Sequence, residues 1–165
     1  MVGYADLPVS ILGDERVRDI IDKRAIRSYY IQGVFEAPLH CSHVTVVPTI
    51  DGYFLELSGM IGFDEQGKLV DENAKFQTLK ALKNIERIVT VIAEAYEIEN
   101  FYRTTALNYI VATRADVVNL SQNSGLVNEA YDLSQIPKAA RTIVGVQELP
   151  LNALVEITAR AYLKK

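Results

Sequence analysis

The chain carries a single cysteine, Cys41, in 165 residues, so no disulfide can form within it. That usage suits a reducing compartment, and a cytoplasmic location is the expectation. Histidine is nearly as scarce, with only His40 and His43. Together with Cys41 they make the run His-Cys-Ser-His, but no second ligand cluster stands elsewhere to complete a zinc site. Turn or packing roles fit the run, and no metal is expected. Cys41 as a nucleophile lacks a recognisable partner arrangement. No stretch approaches the ~18 apolar residues of a membrane helix. The opening Met-Val-Gly-Tyr-Ala-Asp has no basic region followed by an apolar core, so no signal peptide is expected. The glycosylation pattern at Asn119-Leu120-Ser121 then carries no weight. Basic residues number 17 against 21 acidic ones, a net charge of −4. Without a basic surplus, a dedicated nucleic-acid binder is not expected. Internal repeats, low-complexity tracts and Gly/Ser linkers are also missing.

What is present is ordinary for one globular domain with a real core: 49% apolar and 23% charged residues. Asp14 to Arg24 reads as a short amphipathic helix with Asp14 as its cap. Ser28 to Phe35 is β-like. Val44–Ile50 and Tyr53–Met60 read as strands around Asp51-Gly52, a strong hairpin signal. From Asp71 to Tyr96, Phe76, Leu79, Leu82, Ile85, Ile88, Val89, Ile92 and Tyr96 recur at helical spacing and form a core face. Asn100 to Ala112 is rich in β-branched and aromatic residues and reads as a strand. Val117 to Gln135 is helical in part, weakened by Gly125.

The stretch from Ala139 to Ile157 organises the rest. Arg141–Glu148 and Leu154–Tyr162 are β-like segments, broken by Leu149-Pro150-Leu151-Asn152. In the second, Val155, Ile157, Ala159 and Ala161 face one way and Glu156, Thr158, Arg160 and Tyr162 the other. A hairpin between the two is the expected arrangement.

Ala139-Ala140-Arg141-Thr142, then Leu149-Pro150, then Val155-Glu156-Ile157 resembles the C-terminal signature of the Rid/YjgF family of reactive-intermediate deaminases. Leu57-Ser58-Gly59, the loop Phe63 to Val70, Gln77-Thr78 and Asn84-Ile85 are similar to earlier parts of the family pattern. Val127-Asn128-Glu129-Ala130-Tyr131 resembles its Val-Asn-x-x-Tyr, whereas a gapless reading puts Ser124 at the Asn position. The resemblance covers roughly residues 43–163. It implies an α+β, chorismate-mutase-like (YjgF-like) fold, a mixed sheet packed against two helices. Residues 43–165 would form that domain and residues 1–42 an N-terminal extension. It further implies a homotrimer with ligand clefts between subunits.

An enamine or imine derived from an amino acid carries a carboxylate beside an electrophilic C=N. Arginine suits the carboxylate, since its planar fork binds it bidentately. A nearby glutamate can orient water or move a proton. By resemblance, Arg141 is the clamp, Glu156 positions water, and Ser58, Gly59 and Asn128 line the pocket, without cofactor or metal. A hairpin turning about Leu151 would set Arg141 near Ala161 and Glu156 near Val146, roughly 17 Å apart at ~3.4 Å per residue. The two are therefore expected from different chains. Two departures stand out. Ile143 occupies the place of a frequent cysteine. The family's ligand-binding tyrosine, counted back from Ser58, falls near Thr45 beside His43, where no tyrosine stands.

The implied activity is hydrolysis of 2-aminoacrylate-like enamines or imines to 2-keto acids and ammonia, as in 2-iminobutanoate/2-iminopropanoate deaminases. A non-catalytic protein binding a small carboxylate ligand on the same scaffold is the alternative. Endoribonuclease activity, the other name attached to the family, is disfavoured by the acidic balance and the lack of a basic aromatic stripe.

Overall fold

Strand alternation and one long apolar helix face set the architecture. The computed structural model describes residues 10–12, 23–34, 41–70, 73–98, 102–112, 120–134 and 136–165. In chain order the elements are β1 (Ser10–Leu12), β2 (Arg27–Ile31), β3 (Val44–Pro48), β4 (Gly52–Ile61), α1 (Ala74–Ala95), β5 (Tyr102–Ala112), α2 (Leu120–Ser134), β6 (Ala140–Val146) and β7 (Val155–Lys164). A 3₁₀ turn, Pro150–Asn152, precedes β7. The strands form one sheet in the order β1-β2-β3-β4-β7-β5-β6. β1 and β2, which fall within residues 1–42, extend its far edge. The expected helix over Asp14–Arg24 lies largely outside the described residues.

The β3–β4 hairpin forms where Asp51-Gly52 predicts it, with Pro48 opposite Tyr53. β7 is central, antiparallel to both β4 and β5. Its alternation holds: Val155, Ile157, Ala159 and Ala161 are buried, facing the helices. The other face of the sheet carries Phe54, Glu56, Arg160 and Tyr162. There Arg160 pairs with Glu56 across strands at 2.9 Å.

α1 lays Leu82, Ile85, Ile88, Val89 and Ile92 into the core. Asn73 caps it, its Oδ1 accepting from the Lys75 amide at 2.8 Å. Phe76, read as part of the core face, is instead 51% exposed. It falls on the outer side of the first turn, whose inner side buries Ala74, Gln77 and Thr78. Gly62 permits that first turn to approach, since a Cβ there would meet the Gln77 backbone at 2.6 Å. α2 packs beside α1 and is tied to it by a Lys75–Glu129 ion pair of 2.9 Å.

One expectation fails. β6 and β7 do not form a hairpin; β5 lies between them, and β6 runs parallel to β5. Parallel neighbours need a crossover connection, and α2 supplies it. β5 meanwhile takes the edge of β7 along most of its length, from Tyr102–Leu163 to Val111–Val155. The segment after β6 therefore crosses the end of β5, where the Ala112 amide donates to the Leu154 carbonyl at 2.9 Å.

Candidate active site

The residues expected to form the site fall into two groups. The first surrounds Glu156. β4 and β7 pair regularly up to Leu57–Ala159 and again from Met60–Ile157, so Ser58 and Gly59 together oppose one residue of β7. This is a β-bulge, and it turns the local backbone toward Glu156. The Glu156 carboxylate then rests on Gly59, where a Cβ would collide with it. Any side chain at position 59 would displace the acid. Burial raises the Glu156 pKa above the ordinary glutamate value. No cation among the described residues pairs with it.

A cavity of about 290 Å³ opens beside this bulge, lined by residues that include Cys41, His43, Ser58, Gly59, Leu151 and Glu156. Ser58 spends its hydroxyl proton on the Ser42 carbonyl at 2.5 Å. His43 is a buried wall residue whose Nδ1 accepts from the Ile31 amide at 2.8 Å, which leaves the ring proton on Nε2 in the neutral form. Leu151, at the cavity rim, holds φ 57°, ψ 26°, a left-handed conformation uncommon for leucine. Gln77, fully buried, accepts the Leu154 amide proton at 2.8 Å and so fixes the start of β7 two residues before Glu156.

Reading by count from Ser58 left the cavity without a tyrosine. Among the described residues no tyrosine lines it. Tyr30 on β2 packs edge-to-face on His43, with ring centroids 5.4 Å apart.

The second group surrounds Arg141. Its Nη2 donates to Asn128 Oδ1 at 2.8 Å. Asn128, rather than a residue one helical turn earlier, is thus the asparagine beside the arginine. The guanidinium lies over the Tyr131 ring, 4.3 Å from its centroid, with the Tyr109 ring at 5.8 Å. Arg141 is exposed, and no carboxylate among the described residues pairs with it. Tyr109 is fully buried, and burial pushes its phenol up to about 12, an effect the nearby Arg141 charge partly offsets. Ile143, at the frequent cysteine position, is half-buried on β6.

One chain does not bring the two groups together. Arg141 pairs with Leu107, which stands level with Ala159, not with Ala161 as a β6–β7 hairpin would require. Glu156 pairs with Ile110, level with Val144 rather than Val146. Leu107 and Ala159 face the helices, whereas Glu156 alternates with Val155 and Ile157 and faces the other way. Arg141 and Glu156 thus leave opposite faces of the sheet. Two strands at ~4.8 Å and three residues at ~3.3 Å separate their Cα atoms, roughly 14 Å in all.

No described helix is long and apolar enough to cross a membrane. The endoribonuclease L-PSP family model matches residues 42–163. A RutC family protein of Aquifex aeolicus is 35% identical over 124 residues, covering 74% of this chain and 90% of the relative. Another, BU371 of Buchnera aphidicola from Acyrthosiphon pisum, is 32% identical over 117 residues, covering 67% and 80%. Among solved structures, YyfA of Yersinia pestis, a Rid-family protein of unknown function, superposes with a TM-score of 0.66 at 24% identity, over 83% of this chain and 98% of that one. RidA of an Antarctic Psychrobacter gives 0.60 at 24% identity, over 80% and 95%. Signature, sheet order and relatives agree: the chain belongs to the Rid/YjgF family, the family of the endoribonuclease L-PSP model.

Proposed function

We propose that the protein is a cytoplasmic deaminase that hydrolyses small 2-aminoacrylate-like enamines and imines to 2-keto acids and ammonia. It would act as a homotrimer with its sites between subunits. The observation that carries this reading is the split between Arg141 and Glu156, each with its charge unmatched by an opposite charge among the described residues, on opposite sheet faces. A second copy would supply to each cleft the group the first lacks. β6, an exposed edge strand, is the element available to meet it.

In such a cleft Arg141 takes the substrate carboxylate bidentately and so fixes the neighbouring C=N. An enamine first gains a proton at carbon and loses one at nitrogen to become the imine. Water then adds to the imine carbon while Glu156 takes one of its protons and passes it to nitrogen, giving the carbinolamine; the carboxylate next carries the hydroxyl proton to the amine, and ammonia leaves as the carbonyl forms. A glutamate with a raised pKa is suited to both halves of that exchange. Ser58 and Gly59 shape the wall on which the acid rests, and Asn128 holds the arginine. No step requires a cofactor.

The alternative is a binding protein for small carboxylates on the same scaffold, favoured by Ile143 at the frequent cysteine position and by a Ser58 hydroxyl already committed to Ser42. Ammonia release from an enamine generated in situ separates the two. The deaminase reading expects turnover that Arg141→Ala abolishes. Ligand binding without turnover would establish the alternative, and RNA cleavage persisting in Arg141→Ala would point to the endoribonuclease instead.

A further inference from the structure

Tyr131 touches the Arg141 region twice. Its ring underlies the guanidinium, with Cζ 4.3 Å from the ring centroid. Its hydroxyl donates to the Pro137 carbonyl at 3.1 Å and accepts from the Ala139 amide at 3.2 Å. Residues 136–139 lead directly into β6, whose second residue is Arg141. One side chain, itself 8% exposed, therefore fixes both the backbone from which the arginine departs and the plane of its head. Asn128, one turn earlier on the same face of α2, holds Nη2 from the side. Tyr109 closes the slot beyond.

The chemistry of this support is selective. A carboxylate partner would also immobilise the arginine, but it would neutralise the charge and occupy the fork. An aromatic face takes up the flat face of the guanidinium and leaves the in-plane N–H edge open. Arginine carries large rotamer entropy, most of which a docking ligand would otherwise have to freeze. Holding the head against Tyr131 removes that cost before the ligand arrives.

We propose that Tyr131 is a positioning residue that pre-sets Arg141 for an incoming carboxylate. This rests on reading Arg141 as the clamp. Tyr131→Phe keeps the ring and loses the tether to Pro137 and Ala139; Tyr131→Leu loses both.

The test compares binding of pyruvate and of its neutral amide, pyruvamide, to the full chain by calorimetry, alongside the order of the Arg141 Nε–H group by NMR without ligand. Expected are a roughly tenfold loss of pyruvate affinity in Tyr131→Leu, a smaller loss in Tyr131→Phe, and unchanged pyruvamide binding. The Nε–H order should fall in the same sequence. Equal losses for pyruvate and pyruvamide would mean a general structural role and overturn the proposal. So would an Arg141 head as ordered in both variants as in the parent, a readout that Tyr131→Phe provides even if Tyr131→Leu does not fold. If Tyr131 variants bind pyruvate normally while Arg141→Ala does not, positioning fails and the clamp survives. If Arg141→Ala itself binds pyruvate normally, the clamp fails and the proposal with it.

Discussion

The Glu156 carboxylate rests on the Cα of Gly59, in space that a single methyl group would fill. Gly59 exists as a bulge residue so that the acid can lie flat against the strand beside it. Gly59→Ala should displace Glu156 rather than unfold the sheet. Overpacking of this kind costs about 1–3 kcal/mol, and the bulge is at the surface, so the lower end is expected. Turnover should fall at least tenfold, a loss larger than the stability change explains. Parallel measurement of ammonia release and urea denaturation checks this; activity falling only in step with stability would mean that the acid's exact seat is unimportant.

Burial raises the Glu156 pKa, so the folded chain holds that proton more tightly than the unfolded one does. The contribution to stability is therefore full below the unfolded glutamate value near 4.5 and is lost as pH rises through the higher folded value. Glu156→Gln should thus stabilise the protein at neutral pH and lose that advantage below about pH 4.5. If the ionised acid takes the proton from water, activity should fall on acidification with a midpoint above 4.5. Thermal melts and rate profiles from pH 4 to 8 read both effects.

Arg141 and Glu156 leave opposite faces of one sheet, so a shared cleft predicts complementation. Arg141→Ala and Glu156→Gln should each be inactive alone. Refolded together in equal amounts, they should recover roughly a quarter of parental activity, the fraction of interfaces that receive both intact groups by chance in a cyclic assembly. Recovery near zero would place both groups in one subunit's site or show that one of them is idle.

Gln77 is buried on α1 and accepts the Leu154 amide proton at 2.8 Å. Gln77→Leu would leave that amide unpaired, which costs about 1–3 kcal/mol. A lower urea midpoint with an unchanged slope is expected. Some loss of activity should accompany it, because Leu154 fixes the entry into the strand that carries Glu156.

Much of this was legible in the residues. The Asp51-Gly52 hairpin, the apolar face from Leu82 to Ile92 and the alternation along β7 are local patterns, and local patterns survive folding. The order of strands is not local. Nothing in Arg141–Ile157 signals that β5 will insert between its two halves, because that depends on β5 pairing better with β7 than β6 does. Asn128 was legible as a motif; only its bond to Arg141 separates it from Ser124. Tyr131 was legible in the same motif, but its two-way grip on the arginine was not.

The middle of the sheet belongs to the strand that comes last among the seven. Tyr162 and Asp51, bonded at 2.6 Å, are 111 positions apart. During synthesis β4 and β5 must wait with bare edges until β7 leaves the ribosome, and only then can the two halves be joined. Long-range closure of this kind is slow, and waiting edges invite other chains. Nascent protein stalled before β7 should be a strong client for chaperones, and loss of the final ten residues should leave two incomplete sheets rather than a trimmed domain.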